Sequence, residues 1–167
     1  MDSISAVLGS LERAPDVIVP LVREIPPSLL KRRPKNGKWS AHEHACHLSV
    51  VHGLFFGRLD EMLSSPAPVI TPYDPGTQDP EDALLRLDLE EALRSFVRDR
   101  ERLVLRLREL KPSDWARTAE HGEYSHYSVS IMFRHAALHD FFHAYRIEEL
   151  LLEREWAEEW RKGAAAR

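Results

Sequence analysis

Apolar residues recur along most of the chain with the 3.6-residue period of amphipathic helices. Over residues 4–25 this period predicts a first helix. Pro15 and Pro20 lie inside it, and because proline donates no backbone hydrogen bond we expect them to bend or split the helix.

A second helix is predicted from Ala41 to about Leu63. Ser40 and Glu43 have the spacing of a capping box, in which the side chain of each residue bonds the backbone amide of the other. The apolar stripe that follows is typical of a helix packed in a bundle. Its members are Leu48, Val51, Phe55, Leu59 and Met62.

The segment 64–79 contains four prolines and is not predicted to be helical. At about 3.3 Å per residue it is long enough to cross a whole bundle, so the second and third helices are expected to run parallel. The third helix is predicted over 80–110, with Asp79 as N-cap, and the fourth over 129–161. Residues 118–128 are predicted to form an irregular loop, with at most a short hairpin. Four long helices with almost no strand signal predict an all-α four-helix bundle.

The composition fits a globular protein and excludes several partners. The chain has 167 residues, with 23 Lys and Arg against 27 Asp and Glu, a net charge of −4 and 43% hydrophobic residues. Neither a basic face for nucleic acid nor an apolar run long enough for a membrane span is evident. The mixed-sign run 98–102 is interpreted as a solvated face. We expect one domain over 1–161, a disordered tail at 162–167 and, since the first residues do not resemble a signal peptide, a cytoplasmic location.

Nine histidines are many for this length, and seven of them form two clusters. One cluster is on the second predicted helix and the other on the fourth, which suggests one shared site. The members are His42, His44, His47 and His52, and His135, His139 and His143.

The histidines of the fourth helix are four residues apart and so form one row on its surface. The row falls between two apolar seams, which predicts that the imidazoles point inward or nearly so. The seams are Leu138, Phe142 and Tyr145 on one side, and Met132, Ile147 and Leu150 on the other. Two imidazoles at this spacing can share a metal ion, although hydrogen-bonded core histidines more often explain such a pair.

A metal site needs a third ligand, which a bundle can supply from a facing helix. On the second helix His44 lies within the apolar stripe and His47 at its edge, and periodicity does not choose between them. His42 and His52 are interpreted as surface or structural residues. Cys46 has no cysteine partner in the chain and is interpreted as a small packing residue.

Both clusters lie in segments that resemble one family. The stretch WSAHEHACHL, at 39–48, looks like the second-helix signature of the DinB-like (YfiT-like) superfamily of four-helix bundles. The stretch HAALHDFFHAYRI, at 135–147, is similar to the His-x-x-x-His element of its fourth helix. The resemblance covers nearly the whole chain in length and in helix order.

This resemblance implies an up-down-down-up bundle with a long crossover between helices 2 and 3. Facing helices would hold a divalent metal, zinc or nickel, through His47, His139 and His143. The match selects His47 over His44 and leaves His135 as a supporting residue one turn away. Many relatives carry Gln before the Ile that ends the second segment; here Arg146 stands there, a departure on the substrate side of the site.

Three neutral imidazoles would leave such a metal with its full charge and an open position, as in catalytic sites. Characterised relatives include thiol S-transferases and a thiol-dependent isomerase, and others are assigned as metal-dependent hydrolases. We therefore expect a metal-dependent enzyme for a small-molecule substrate, with a low-molecular-weight thiol as candidate co-substrate, and a homodimer as in many relatives. No catalytic side chain is assigned. The alternatives are a non-enzymatic, stress-associated binding bundle and a metal-free core of hydrogen-bonded histidines.

Overall fold

In the computed structural model, the residues described are 3–35, 37–74, 80, 82–153, 156 and 161. Four long helices form the body of the fold: α1 (Ser3–Glu24), α3 (Ala41–Ser64), α4 (Leu89–Arg108) and α6 (Val129–Leu151). Two short helices, α2 (Pro27–Leu30) and α5 (Pro112–Trp115), and a 3-10 turn (Leu84–Arg86) lie in the connections. None of the described helices combines the length and the apolar character that crossing a membrane requires. The predicted four-helix bundle is confirmed.

The direction of the helices follows from the two large clusters of buried side chains. In one cluster the start of α1 packs with the ends of α3 and α4 and with the start of α6. In the other, the end of α1 packs with the starts of α3 and α4 and with the end of α6. α3 and α4 are therefore parallel, and the order is up-down-down-up. This arrangement requires the long crossover between them, of which residues 75–79 and 81 lie outside the described part.

A small sheet closes one side of the bundle. It contains β1 (Val69–Ile70), β2 (Thr118–His121) and β3 (Tyr127–Ser128), with β1 parallel to β2 and β2 antiparallel to β3. The β2–β3 hairpin lies in the predicted loop 118–128. The pairing of β1 with β2 brings the crossover onto this hairpin.

The N-terminus of α3 is formed as predicted. The Ser40 hydroxyl accepts a hydrogen bond from the Glu43 amide, and the Ser40 amide donates to the Glu43 carboxylate at 2.9 Å. Arg33 also donates to this buried carboxylate, at 3.0 and 3.2 Å from Nε. The capping box therefore ties the preceding loop to the start of the helix.

Two predicted helix boundaries are wrong. α4 begins at Leu89 rather than residue 80, because Asp82 has a φ of 58°, which interrupts a right-handed helix, and Asp88 caps the Glu91 amide at 2.8 Å. Asp79, the predicted cap, lies outside the described residues. α6 ends at Leu151 rather than residue 161, and the chain then turns to bury Trp156. The predicted tail 162–167 is also outside the described part.

α1 is continuous through both prolines, so the expected split does not occur. Pro15 has no N–H group to donate to the carbonyl of Leu11, four residues earlier. Instead Nη1 of Arg100, on α4, donates to that carbonyl at 3.2 Å. Pro20 leaves the carbonyl of Asp16 in the same position, but Asp16 is exposed to water.

Arg100 belongs to a buried network, so the interpretation of 98–102 as a solvated face is wrong for this residue, while Arg98, Glu101 and Arg102 are exposed as expected. Its guanidinium bonds both carboxylate oxygens of Asp140 on α6, and its Nε donates to Nε2 of His52 at 3.0 Å. The Arg100 and Asp140 side chains are only 3% and 2% exposed. Four residues after Phe96 and three before Leu103, Arg100 occupies a seam position of α4, and Asp140 compensates its charge.

Candidate metal centre

α3 and α6 bring together the three histidines that the family resemblance selects. His47 projects from α3, and His139 and His143 project from successive turns of α6. Nε2 of His139 lies 3.2 Å from Nε2 of His47 and 3.0 Å from Nε2 of His143. One nitrogen from each ring lies within 4.8 Å of the others. His47 and His143 are buried and His139 is half-buried.

The three imidazoles are neutral at ordinary pH. Burial lowers the pKa of His47 to about 3, that of His139 to about 4 and that of His143 to about 2, with neighbouring imidazoles adding to the effect. Neutral imidazoles keep a lone pair for a metal ion. The site thus offers three uncharged nitrogen ligands.

Hydrogen bonds alone do not account for the close approach of the three Nε2 atoms. A neutral imidazole nitrogen carries either a proton or one lone pair, so Nε2 of His139 forms one good hydrogen bond at most, although it has two close neighbours. A tetrahedral zinc ion, with Zn–N distances of about 2.0–2.1 Å, holds its ligand nitrogens about 3.3 Å apart, close to the two separations found. The residues therefore fit a divalent metal better than a metal-free core.

His44 and Trp39 pack against the rings of the cluster, His44 from the buried side and Trp39 at the end of the adjacent pocket. Nδ1 of His44 lies 2.8 Å from Nδ1 of His143. The ring of Trp39 lies 4.9 Å from that of His47 and stacks on that of His143 at 6.0 Å. The sequence places Trp39 beside the start of α3 and gives no sign of its contact with His143, which forms only when α6 packs against this end of α3.

The remaining histidines of the two clusters lie elsewhere. Nε2 of His42 is 3.1 Å from the carbonyl of Leu84, and His52 accepts the hydrogen bond from Arg100, so both are structural, as expected. His135 is exposed one turn before His139 and lines the adjacent pocket. Cys46 is fully buried, and burial raises the pKa of its thiol to about 12, which fits a packing residue.

One of the two apolar seams predicted for α6 is wrong. Leu138, Phe142 and Tyr145 are 66%, 57% and 62% exposed, whereas the seam on the other side of the histidine row is buried. Periodicity cannot show where the buried face of a helix ends, because the neighbouring helices set that limit. The histidine row lies at this boundary, which leaves His143 buried and His139 open to the pocket.

A pocket of about 390 Å³ opens onto the cluster, in the size range of small-molecule sites. His47, His139, His143 and Trp39 line one end of it. The other end is formed by the sheet and the second half of α3. There the lining residues include Arg58, His121, Glu123, Tyr124 and Tyr127, none of which the sequence singled out.

The up-down-down-up topology and the histidine cluster between α3 and α6 define the class of protein. It is a four-helix bundle with a candidate metal site between two facing helices. The chain belongs to the DinB superfamily, whose family model matches residues 10–147. The resemblance noted in the sequence is thereby confirmed. A search of curated proteins gives no significant match.

Among solved structures the chain is similar to YfiT from Bacillus subtilis, described as a probable metal-dependent hydrolase with an unusual four-helix bundle topology. The TM-score is 0.81 at 21% sequence identity, and the match covers 92% of this chain and 88% of that one. At this identity the likeness shows the fold.

Proposed function

We propose that this protein binds a divalent metal, zinc or nickel, through His47, His139 and His143, and that it is a metal-dependent enzyme for a small-molecule substrate. The observation that carries the proposal is the convergence of three neutral Nε2 atoms at the end of a pocket. The match to a structure described as a probable metal-dependent hydrolase supports it.

The chemistry follows from the ligand set. A divalent ion held by three neutral imidazoles keeps its charge and an open coordination position, and so supplies Lewis acidity toward water or a thiol. Water is the nucleophile in hydrolysis, and a thiol is the nucleophile in thiol transfer. Both reactions fit a pocket whose end is formed by the cluster.

The surrounding side chains position the ligands. If Nε2 of His143 held a metal, the ring proton would reside on Nδ1 and would be donated to Nδ1 of His44, which lies 2.8 Å away. Trp39 packs against the rings of His47 and His143 and so helps to fix their orientation. All three histidines line the pocket, and the half-buried His139 is the most exposed of them.

Turnover assays on metal-loaded protein test the proposal. We expect zinc- or nickel-dependent reaction of a low-molecular-weight thiol with an aryl halide, or hydrolysis of activated esters, with loss of that activity in His139→Ala. His126→Ala, which removes an exposed histidine from a loop, is the matched control and should remain active. Absence of metal-dependent turnover in a wild-type protein that holds its metal would instead favour a non-enzymatic binding protein.

A further inference from the structure

The pocket is elongated along α3. Arg58 lies eleven residues after His47, which places it about 20° around the helix and about 16 Å along it. Val51 and Phe55 line the pocket between them. One face of α3 therefore presents a metal ligand, an apolar middle and a cation in succession.

The charge of Arg58 is not neutralised within the described part of the chain. Its Nη2 donates to the carbonyl of Thr71, just after β1, at 2.7 Å, and Tyr127 on β3 lines the same pocket. Neither group is charged, and no described carboxylate forms an ion pair with Arg58. A guanidinium has five N–H donors, so most of its donors remain for a ligand.

Two neutral donors lie beside this cation. The Glu123 amide donates to Nδ1 of His121 at 3.1 Å, which places the proton of the neutral ring on Nε2. Burial, and then the charge of Arg58, lower the pKa of His121 and keep it neutral. The second donor is the neutral hydroxyl of Tyr127, whose ring is buried 4.5 Å from that of His121.

We propose that Arg58, His121 and Tyr127 bind the anionic group of an elongated substrate or co-substrate whose other end reacts at the three-histidine cluster. A carboxylate fits best, since one cation faces one negative charge and the guanidinium fork matches two carboxylate oxygens. A more highly charged group would meet the carboxylate of Glu123 at the pocket rim. The middle of the ligand is apolar, to match Val51 and Phe55.

This inference rests on the proposed function for one end of the ligand only. Its test compares ω-mercaptoalkanoic acids with ω-mercaptoalkanols of equal length, from three to eleven carbons, binding to the zinc-loaded protein by titration calorimetry. The thiol occupies the metal end and the tail probes Arg58. Short acids and alcohols should bind alike, and at the length that spans the pocket the acid should bind about 10- to 100-fold more tightly, as expected for hydrogen bonds to a charged group.

Variants assign that preference to named side chains. Arg58→Met should abolish it while leaving the binding of the alcohols and of short thiols unchanged, which also shows that the variant is folded. Tyr127→Phe should weaken it, and Glu123→Gln should strengthen it by removing the opposing charge. Arg94→Met removes an equally positive but exposed side chain on α4 and should leave it intact.

The outcomes separate the two proposals. Equal binding of acid and alcohol at every length, with thiols still binding to the metal, would overturn the anion site and leave the metal site standing. The same holds for an acid preference that survives in Arg58→Met. If the protein takes up no zinc but long alkanoic acids bind and Arg58→Met abolishes their binding, the anion site stands and the metal site fails.

Discussion

Replacement of Arg100 by Met tests the buried network that joins α4 to α1, α3 and α6. The substitution keeps an unbranched apolar stem but leaves the Asp140 carboxylate buried without its counter-charge. It also removes the donor to the Leu11 carbonyl, for which Pro15 has no N–H to offer. These losses, together with that of the donor to Nε2 of His52 on α3, act on the folded state.

The expected cost is large. Removing one partner of a buried ion pair costs about 3–5 kcal/mol, and an unsatisfied buried carbonyl about 1–3 kcal/mol, terms that overlap at one side chain. We expect the free energy of unfolding to fall by about 4 kcal/mol or more, a large part of the total stability of an ordinary domain. With an m-value of about 2 kcal/mol/M, the urea midpoint falls by about 2 M.

Urea unfolding followed by circular dichroism measures the change. Arg98→Met, which removes an exposed arginine from the same helix, should stay within about 0.5 kcal/mol of wild type. Pro15→Ala restores an N–H group that can donate to the Leu11 carbonyl. The effect of this substitution on the free energy of unfolding should therefore be about 1 kcal/mol more favourable in the Arg100→Met background than in wild type. A loss below about 1 kcal/mol in Arg100→Met, or no coupling to Pro15, would refute the reasoning.

Three further predictions follow from buried groups near the site. Burial alone would raise the pKa of Glu43, but hydrogen bonds from Arg33 and Ser40 outweigh that effect and lower the pKa below 4.5. The stability advantage of wild type over Glu43→Gln should therefore be full at pH 7 and shrink as the pH falls below about 4.5. A difference in urea midpoints that does not change with pH would contradict this. His44→Leu removes the acceptor for Nδ1–H of His143 and should weaken zinc binding about 10- to 100-fold in chelator competition, with partial recovery in His44→Gln, whereas equal affinities would show that His44 does not position the ligand. Because burial raises the pKa of Cys46 to about 12, a thiol reagent at pH 8 should modify it only after unfolding, and rapid labelling of the native protein would refute its assignment as a packing residue.

Local sequence signals predicted the elements that depend on neighbouring residues. The capping box at Ser40 and Glu43 is a contact within one helical turn, and the start of α3 lies where its spacing indicates. The apolar stripe from Leu48 to Met62 is buried for the same reason, since its period matches the helix. The left-handed Asp82 has no such signature, and the predicted start of α4 was therefore too early.

Contacts between segments that are far apart along the chain cannot be predicted from the local sequence pattern. The charge of Arg100 predicts an exposed side chain, although its spacing from Phe96 places it on the buried seam of α4. The buried position is possible because Asp140, on another helix, compensates the charge. Nothing in the sequence marks Arg58 as a site residue. Its neighbours Thr71 and Tyr127 come close to it only because the crossover pairs with the β2–β3 hairpin. Both cases depend on how helices and strands assemble.

The candidate site was predicted in part. The histidine row on α6 followed from its spacing, but the choice of His47 over His44 came from the family resemblance and not from periodicity. In the structure both residues face α6, with His47 near His139 and His44 near His143. A helical wheel of α3 cannot distinguish them, since the rotation of α6 decides which ring meets which.

Elemental mass spectrometry of the purified, tag-free protein tests the three-histidine metal site most directly. Wild type should contain, or take up on incubation, about one zinc or nickel ion per chain, and His47→Ala, His139→Ala and His143→Ala should each lose it. His135→Ala, which removes an exposed histidine one turn before His139, should retain the ion. A wild-type protein that takes up neither ion, or a His139→Ala variant with undiminished metal content, would contradict the assignment.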